Sequence, residues 1–176
     1  MRVVAGELRG RRLAAPTDGS IRPTTDKVRE AIFNALTSLD AIVDVRVADL
    51  YAGSGALGIE ALSRGATHCT FVERGRTALA TLHDNIAELR LGDRARVVVG
   101  DAIAVAPRLD ADLVFADPPY DFAEWPRLLA ALPASVRLVV AEAGAPVPAP
   151  DGWLQGRVKR YGRTWVAFLE ADSPPE

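Results

Sequence analysis

The chain has 176 residues, 49% of them hydrophobic and 25% charged, which suits one ordinary globular domain of ~150 residues or a little more. No apolar run approaches the ~18 residues of a membrane span. The opening MRVVAGELRGRR lacks the apolar core of a secretory signal, so a cytoplasmic protein without a membrane partner is expected. The net charge of −2 is unevenly placed: residues 1–30 carry seven basic and four acidic side chains, and residues 153–165 carry four basic and none acidic. Basic ends on an acidic body imply local contact with a polyanion, and 19 of the 21 basic residues are arginine, the side chain best shaped to grip phosphate.

In chain order, RVVAGELRGRRLAAP alternates weakly around Gly6 and Gly10 and predicts a short hairpin. Residues 1–20 read as a basic hairpin extension to a domain over 21–176. TTDKVREAIFNALTSL follows as a helix, with Thr25 as its cap and Val28, Ile32, Phe33, Leu36 and Leu39 on one face. From residue 45 the pattern is strand, turn, helix, repeated. The expected strands are 45–50, 68–73, 95–99, 112–116 and 136–142. Between them lie ALGIEALSRG closed by Gly65, TALATLHDNIAELRLG closed by Gly92, a short turn near 102–108, and FAEWPRLLAAL. Continuous apolar strands alternating with helices predict a parallel sheet covered on both faces. GRVKRY and RTWVAFLEA then flank Gly162 as an antiparallel hairpin, making seven strands, with SPPE at 173–176 as a frayed tail.

Gly53, Gly55 and Gly58 directly follow the first strand and open a helix, the arrangement that lets a ligand approach backbone N–H groups. Glu73 ends the second strand 20 residues after Gly53, where a carboxylate can bind a ribose diol. NAD and S-adenosylmethionine both present an adenosine to such a site. Asp49, facing a methionine ammonium, and Asp101 in VVVGDA, facing an adenine amine, lean toward S-adenosylmethionine; Asp101 serves equally well as a helix cap. The terminal antiparallel hairpin points the same way.

The fourth strand ends in FADPPY. Ligands in such sheets sit beyond the carboxyl ends of the strands. Pro118 holds Asp117 extended, and Pro118 and Pro119 bring carbonyl acceptors on a stiff backbone without N–H donors. The Asp117 carboxylate and the Pro118 carbonyl can grip the two hydrogens of a planar NH₂ group, and Tyr120 can stack on the ring that carries it. A base inside a duplex is out of reach, so the target is flipped out or already unpaired. His68 and His83 are not spaced with Cys69 as metal ligands, and the lone Cys69 reads as a buried thiol.

RVVAGELRGRRL, RPTTDKVREAIFNAL, DLYAGSGALGIEALSRGA and FADPPY together resemble the bacterial RsmD family, over about residues 2–169. The family implies a Rossmann-like class I methyltransferase fold, α/β with seven strands and the last antiparallel. It implies S-adenosylmethionine as cofactor and the N2 amine of guanine 966 in 16S ribosomal RNA as target, free or within the small subunit. Carried over by motif, cofactor binding falls to Asp49, Tyr51, Gly53, Ser54, Gly55, Glu73, Asp101 and Ala102. Catalysis falls to Asp117, Pro118, Pro119 and Tyr120. RNA contacts are expected from Arg2, Arg9, Arg11, Arg12, Arg22, Lys27 and Arg29, with Thr24 or Arg29 alternatively reaching the cofactor, and a monomer is expected. Gly75 stands where related sequences often carry an acid, and Asp121 and Glu124 make the segment after DPPY acidic. The competing readings are a DNA or protein-amide methyltransferase, an NAD-dependent oxidoreductase, and a non-catalytic ribosome-assembly protein.

Overall fold

The structure, a computed structural model, describes residues 1–16 and 26–172. Thr25, Thr24, Arg22 and the 173–176 tail lie outside the described residues. The seven expected strands are β1 Arg46–Leu50, β2 His68–Glu73, β3 Ala95–Val99, β4 Leu113–Ala116, β5 Leu138–Ala143, β6 Trp153–Tyr161 and β7 Thr164–Ala171. They form one sheet in the order β3-β2-β1-β4-β5-β7-β6. β1 to β5 are mutually parallel, and β7 is antiparallel to both β5 and β6. A two-residue turn joins β6 to β7, with Gly162 at φ +60°.

Alternation along each strand gives the sheet two buried faces. Val47, Phe71, Leu113, Phe115, Leu138, Val140, Val166 and Phe168 face one way. They pack against α1 (Asp26–Ser38), α2 (Ala56–Ser63) and α3 (Arg76–Glu88). Ala48, Leu50, Val114, Ala116, Val139, Ala141 and Leu169 face the other way, against α4 (Ala102–Val105) and α5 (Trp125–Ala131). Because β2 and β3 lie on one side of β1 and β4 on the other, the direction in which strands are added to the sheet reverses between β1 and β4. That switch point opens a crevice at the strands' carboxyl ends.

Two local expectations change. Leu39 is 52% exposed, because α1 stops at Ser38 and Asp40 turns left-handed at φ +52°. The end of α3 is set by Arg90 in the left-handed region, φ +57°, not by Gly92. The N-terminal hairpin forms, with an Arg2–Arg12 bridge and bonds from Val3 N–H to the Arg11 carbonyl, Gly10 N–H to the Val3 carbonyl and Leu13 N–H to the Met1 carbonyl. Four donors within it reach α2 instead: Val4 and Ala5 N–H donate to the Glu60 carboxylate at 2.8 and 3.0 Å. Leu8 N–H donates to Ser63 Oγ and Glu7 N–H to the Ser63 carbonyl. Val3 and Leu13 enter the core beside α1.

Candidate functional site

The glycine-rich turn is shaped by backbone that other residues disfavour. Gly53 and Gly55 sit at φ +58° and +82°, and Tyr51 shares that region at φ +61°. Gly58 has a packing role: a Cβ there would lie 2.3 Å from the Phe71 ring and 2.5 Å from Cys69 Sγ. Its absence lets α2 press onto β2. Cys69 is buried as expected, and burial, with the Asp49 charge adding to it, pushes its thiol pKa up.

The turn, the ends of β1, β2, β4 and β5 and the β6–β7 turn enclose one cavity of about 800 Å³. Every residue expected to bind cofactor or act on substrate lines it except Gly55, which lies behind the wall against Leu82. Asp49 is buried and accepts a 2.9 Å bond from Gly58 N–H. Burial raises its pKa well above the usual carboxylate range, the Gly58 bond opposes this, and the nearby Asp117 and Glu73 charges add to the rise. Glu73 accepts from Gly53 N–H at 2.9 Å through Oε2, and from Arg74 and Gly75 N–H at 2.8 and 2.7 Å through Oε1. Asp101 caps α4 by accepting from Ala104 N–H at 3.1 Å, and its other oxygen is 3.6 Å from Arg74 Nη1. It is cap and cavity wall at once. At Gly75, a Cβ would stand 3.2 Å from Glu73 Oε1, so this position serves the Glu73 carboxylate with an N–H.

Across the crevice, Asp117 and the buried Pro118 lie at the end of β4. Tyr120 is 44% exposed, its hydroxyl 2.6 Å from Thr164 Oγ1. A Cβ at Gly144 would approach its ring to 3.1 Å, so Gly144 provides the seat for that ring. Tyr51, whose pKa burial lifts to about 12, meets Phe122 edge-on at 5.6 Å, and Phe122 meets Trp125 at 5.2 Å. These contacts tie the segment after DPPY back to β1. The acidity of that segment is partly matched by Arg127, 2.7 Å from Glu124.

Among the described residues the wall carries five carboxylates (Asp49, Glu73, Asp101, Asp117 and Glu142) against three cations (Lys27, Arg74 and Arg76). This opposes a dinucleotide. A pyrophosphate needs the N–H groups of the turn and helix start, but Gly53 and Gly58 donate to the protein's own carboxylates. The same wall fits S-adenosylmethionine by its donor set: a carboxylate for an ammonium, another beside the turn for ribose hydroxyls, and an acceptor for an adenine amine.

Of the expected RNA contacts, Arg2, Arg9, Arg11, Arg12 and Lys27 are exposed, and Lys27 reaches the cavity. Arg29 is a correction. It is fully buried, donates to the Arg2 carbonyl and, at 2.9 Å, to Asp26 Oδ1, and pairs with Glu60 at 3.6 Å. Charge alone suggests a surface position on α1, but residue 29 shares the buried stripe of Val28, Ile32 and Phe33. Four further residues escape a reading of the sequence: Glu60, fully buried and binding the N-terminal segment, and Glu142, Gly144 and Thr164 around the β4 end. An acid closing the apolar run LVVAEA is the available signal for Glu142.

Fold and site together define a Rossmann-like class I methyltransferase. A solved structure titled "Putative methyltransferase yhhF from Escherichia coli" superposes with TM-score 0.83 at 34% identity, covering 98% of both chains. Bacillus subtilis "Putative rRNA methyltransferase YlbH" is 39% identical over 97% of this chain and 98% of its own. Escherichia coli "Ribosomal RNA small subunit methyltransferase D" is 43% identical over 68% of this chain and 60% of its own. Residues 1–170 match the family model described as "Conserved hypothetical protein 95". The chain belongs to that family, the RsmD family of methyltransferases.

Proposed function

We propose that this protein transfers a methyl group from S-adenosylmethionine to the N2 amine of a guanine in 16S ribosomal RNA, guanine 966 by family pattern, as a cytoplasmic enzyme acting on the assembling or assembled small subunit. The observation that carries this reading is Asp117-Pro118, at the end of β4, sharing a wall with Asp49, Glu73 and Asp101 across the switch point. The names of the relatives above support RNA of the small subunit as substrate.

When bound, S-adenosylmethionine supplies an electrophilic methyl on a sulfonium sulfur. Asp49 would hold its ammonium, Glu73 its ribose hydroxyls and Asp101 its adenine amine. The guanine N2 lone pair is delocalised into the ring and is a weak nucleophile. Asp117 and the Pro118 carbonyl accept its two N–H bonds and hold the nitrogen toward tetrahedral geometry. The Asp117 carboxylate would take the surplus N2 proton. Tyr120 stacks on the flipped base.

Phosphate contacts that position RNA without reading its sequence come from the exposed Arg2, Arg9, Arg11, Arg12 and Lys27. The β6–β7 hairpin adds Arg157, Lys159, Arg160 and Arg163, all exposed. Lys159 Nζ stands 5.2 Å over the Tyr161 ring and Arg160 Cζ 5.6 Å over Trp165. Because Tyr161 and Gly162 also line the cavity, the basic hairpin ends at its mouth. The test is transfer from labelled S-adenosylmethionine to naked 16S RNA and to partly assembled small subunits, followed by nucleoside mapping. Label on guanine N2 at a single position is expected; label elsewhere, or none on either substrate, overturns the proposal.

A further inference from the structure

Glu142 is a carboxylate at 4% exposure on the cavity wall, with no part in holding the cofactor as described above. Its placement follows from strand parity. On β5, Leu138 and Val140 face the α1–α3 side of the sheet, and Glu142 continues that alternation. On β4, Leu113 and Phe115 face the same side, and so does Asp117. The last paired residues of the two strands are Ala116 and Ala141, which makes Asp117 and Glu142 the next register position. Neighbouring strands lie ~4.8 Å apart. Two carboxylates therefore stand side by side at the crevice floor. Tyr120 is seated on Gly144, two positions past Glu142, and its ring lines the same cavity as both acids.

The Watson–Crick edge of guanine offers adjacent donors, N1–H and the N2 amine, and adenine has a lone pair at N1 instead. We infer that Glu142 is a specificity-determining residue of the substrate half of the cavity, accepting the N1–H of the target guanine while Asp117 and Pro118 hold its N2 amine. The role rests on the function proposed above. No proton is transferred to Glu142; its carboxylate repels a purine with a lone pair at N1 and binds one with a proton there. A site built around such a hydrogen bond discriminates far more sharply than an apolar pocket.

The experiment replaces the target guanine in the RNA with 2-aminopurine, which keeps the C2 amine but has a bare N1. The ratio of kcat/KM for the two RNAs is then measured with the wild-type protein and with Glu142→Gln, whose amide can donate to N1. Wild type is expected to favour guanine at least ~100-fold. Glu142→Gln is expected to lower the ratio at least tenfold while S-adenosylmethionine affinity stays within twofold. Equal use of both RNAs by wild type, or a Glu142→Gln loss identical on both, overturns the inference. Thermal melting verifies folding; should Glu142→Gln not fold, Glu142→Ala is read by the same ratio. Absence of guanine N2 label with wild type refutes the proposed function itself, whereas label with an unmoved ratio refutes only the role of Glu142.

Discussion

Asp49→Asn should make the ligand-free protein more stable and a worse binder of S-adenosylmethionine. The substitution keeps the size of the side chain and an oxygen able to accept from Gly58 N–H, 2.9 Å away. What it removes is a charge held at 2% exposure. Burial raises the Asp49 pKa in the folded protein, so the folded state binds this proton more tightly than the unfolded state. Stability is therefore lost as pH rises from the ordinary carboxylate range through the raised pKa. The Asn variant lacks that loss and should melt higher at neutral pH. Its cost falls on the ligand: a hydrogen bond between charged groups is worth about 1.5–3 kcal/mol, so affinity should fall by roughly 10- to 150-fold. Thermal melting of the ligand-free proteins and calorimetric titration across pH 5–8 check the two halves. Wild-type affinity should strengthen as Asp49 ionises, and the variant should show a flatter profile. An equal dissociation constant for both proteins, or a less stable ligand-free variant, would refute the reasoning.

Asp117→Ala should lower methyl transfer by about 10²-fold or more with S-adenosylmethionine binding retained, measured by single-turnover label transfer beside calorimetry; full turnover would dispose of the amine-gripping role. Arg29→Met strips one of two arginine partners from the buried Glu60, which keeps Arg64 at 2.8 Å, and should cost about 1–3 kcal/mol, seen as a lower denaturation midpoint. The salt dependence of RNA binding should not change, as it would if Arg29 touched phosphate. Arg160→Gln with Arg163→Gln should flatten the slope of log affinity against log salt by roughly 0.7–0.9 for each phosphate no longer neutralised, with cofactor affinity unaltered. An unmoved slope would remove the β6–β7 hairpin from the RNA path.

Much of this protein is legible in one dimension because its signals are local. Apolar runs ended by turns give β1 to β5 within two residues. Gly162 sets the final hairpin, and the order of glycines after β1 marks the crevice before any helix is packed. The DPPY backbone is equally local, since proline fixes the conformation of its own residue and of the one before it. These features need no distant partner, and they determined the fold class and the places of the glycine-rich turn and the DPPY tetrapeptide at the strand ends.

Only the tertiary structure decided what depended on partners far along the chain. Arg29 has the sequence of a surface cation, yet α1 turns it inward to Glu60, 31 positions away. The N-terminal segment has the pattern of a free hairpin, yet the N–H donors of Val4, Ala5, Glu7 and Leu8 end on Glu60 and Ser63, more than 50 residues later. Tyr120 carries its aromatic ring in the motif, but Gly144 and Thr164 settle how that ring is held. Asp117 and Glu142 become neighbours only because β4 and β5 pair in register. Propensity and turn chemistry act over a few residues, whereas which charges are buried and which acids share a wall is set by strand order and register.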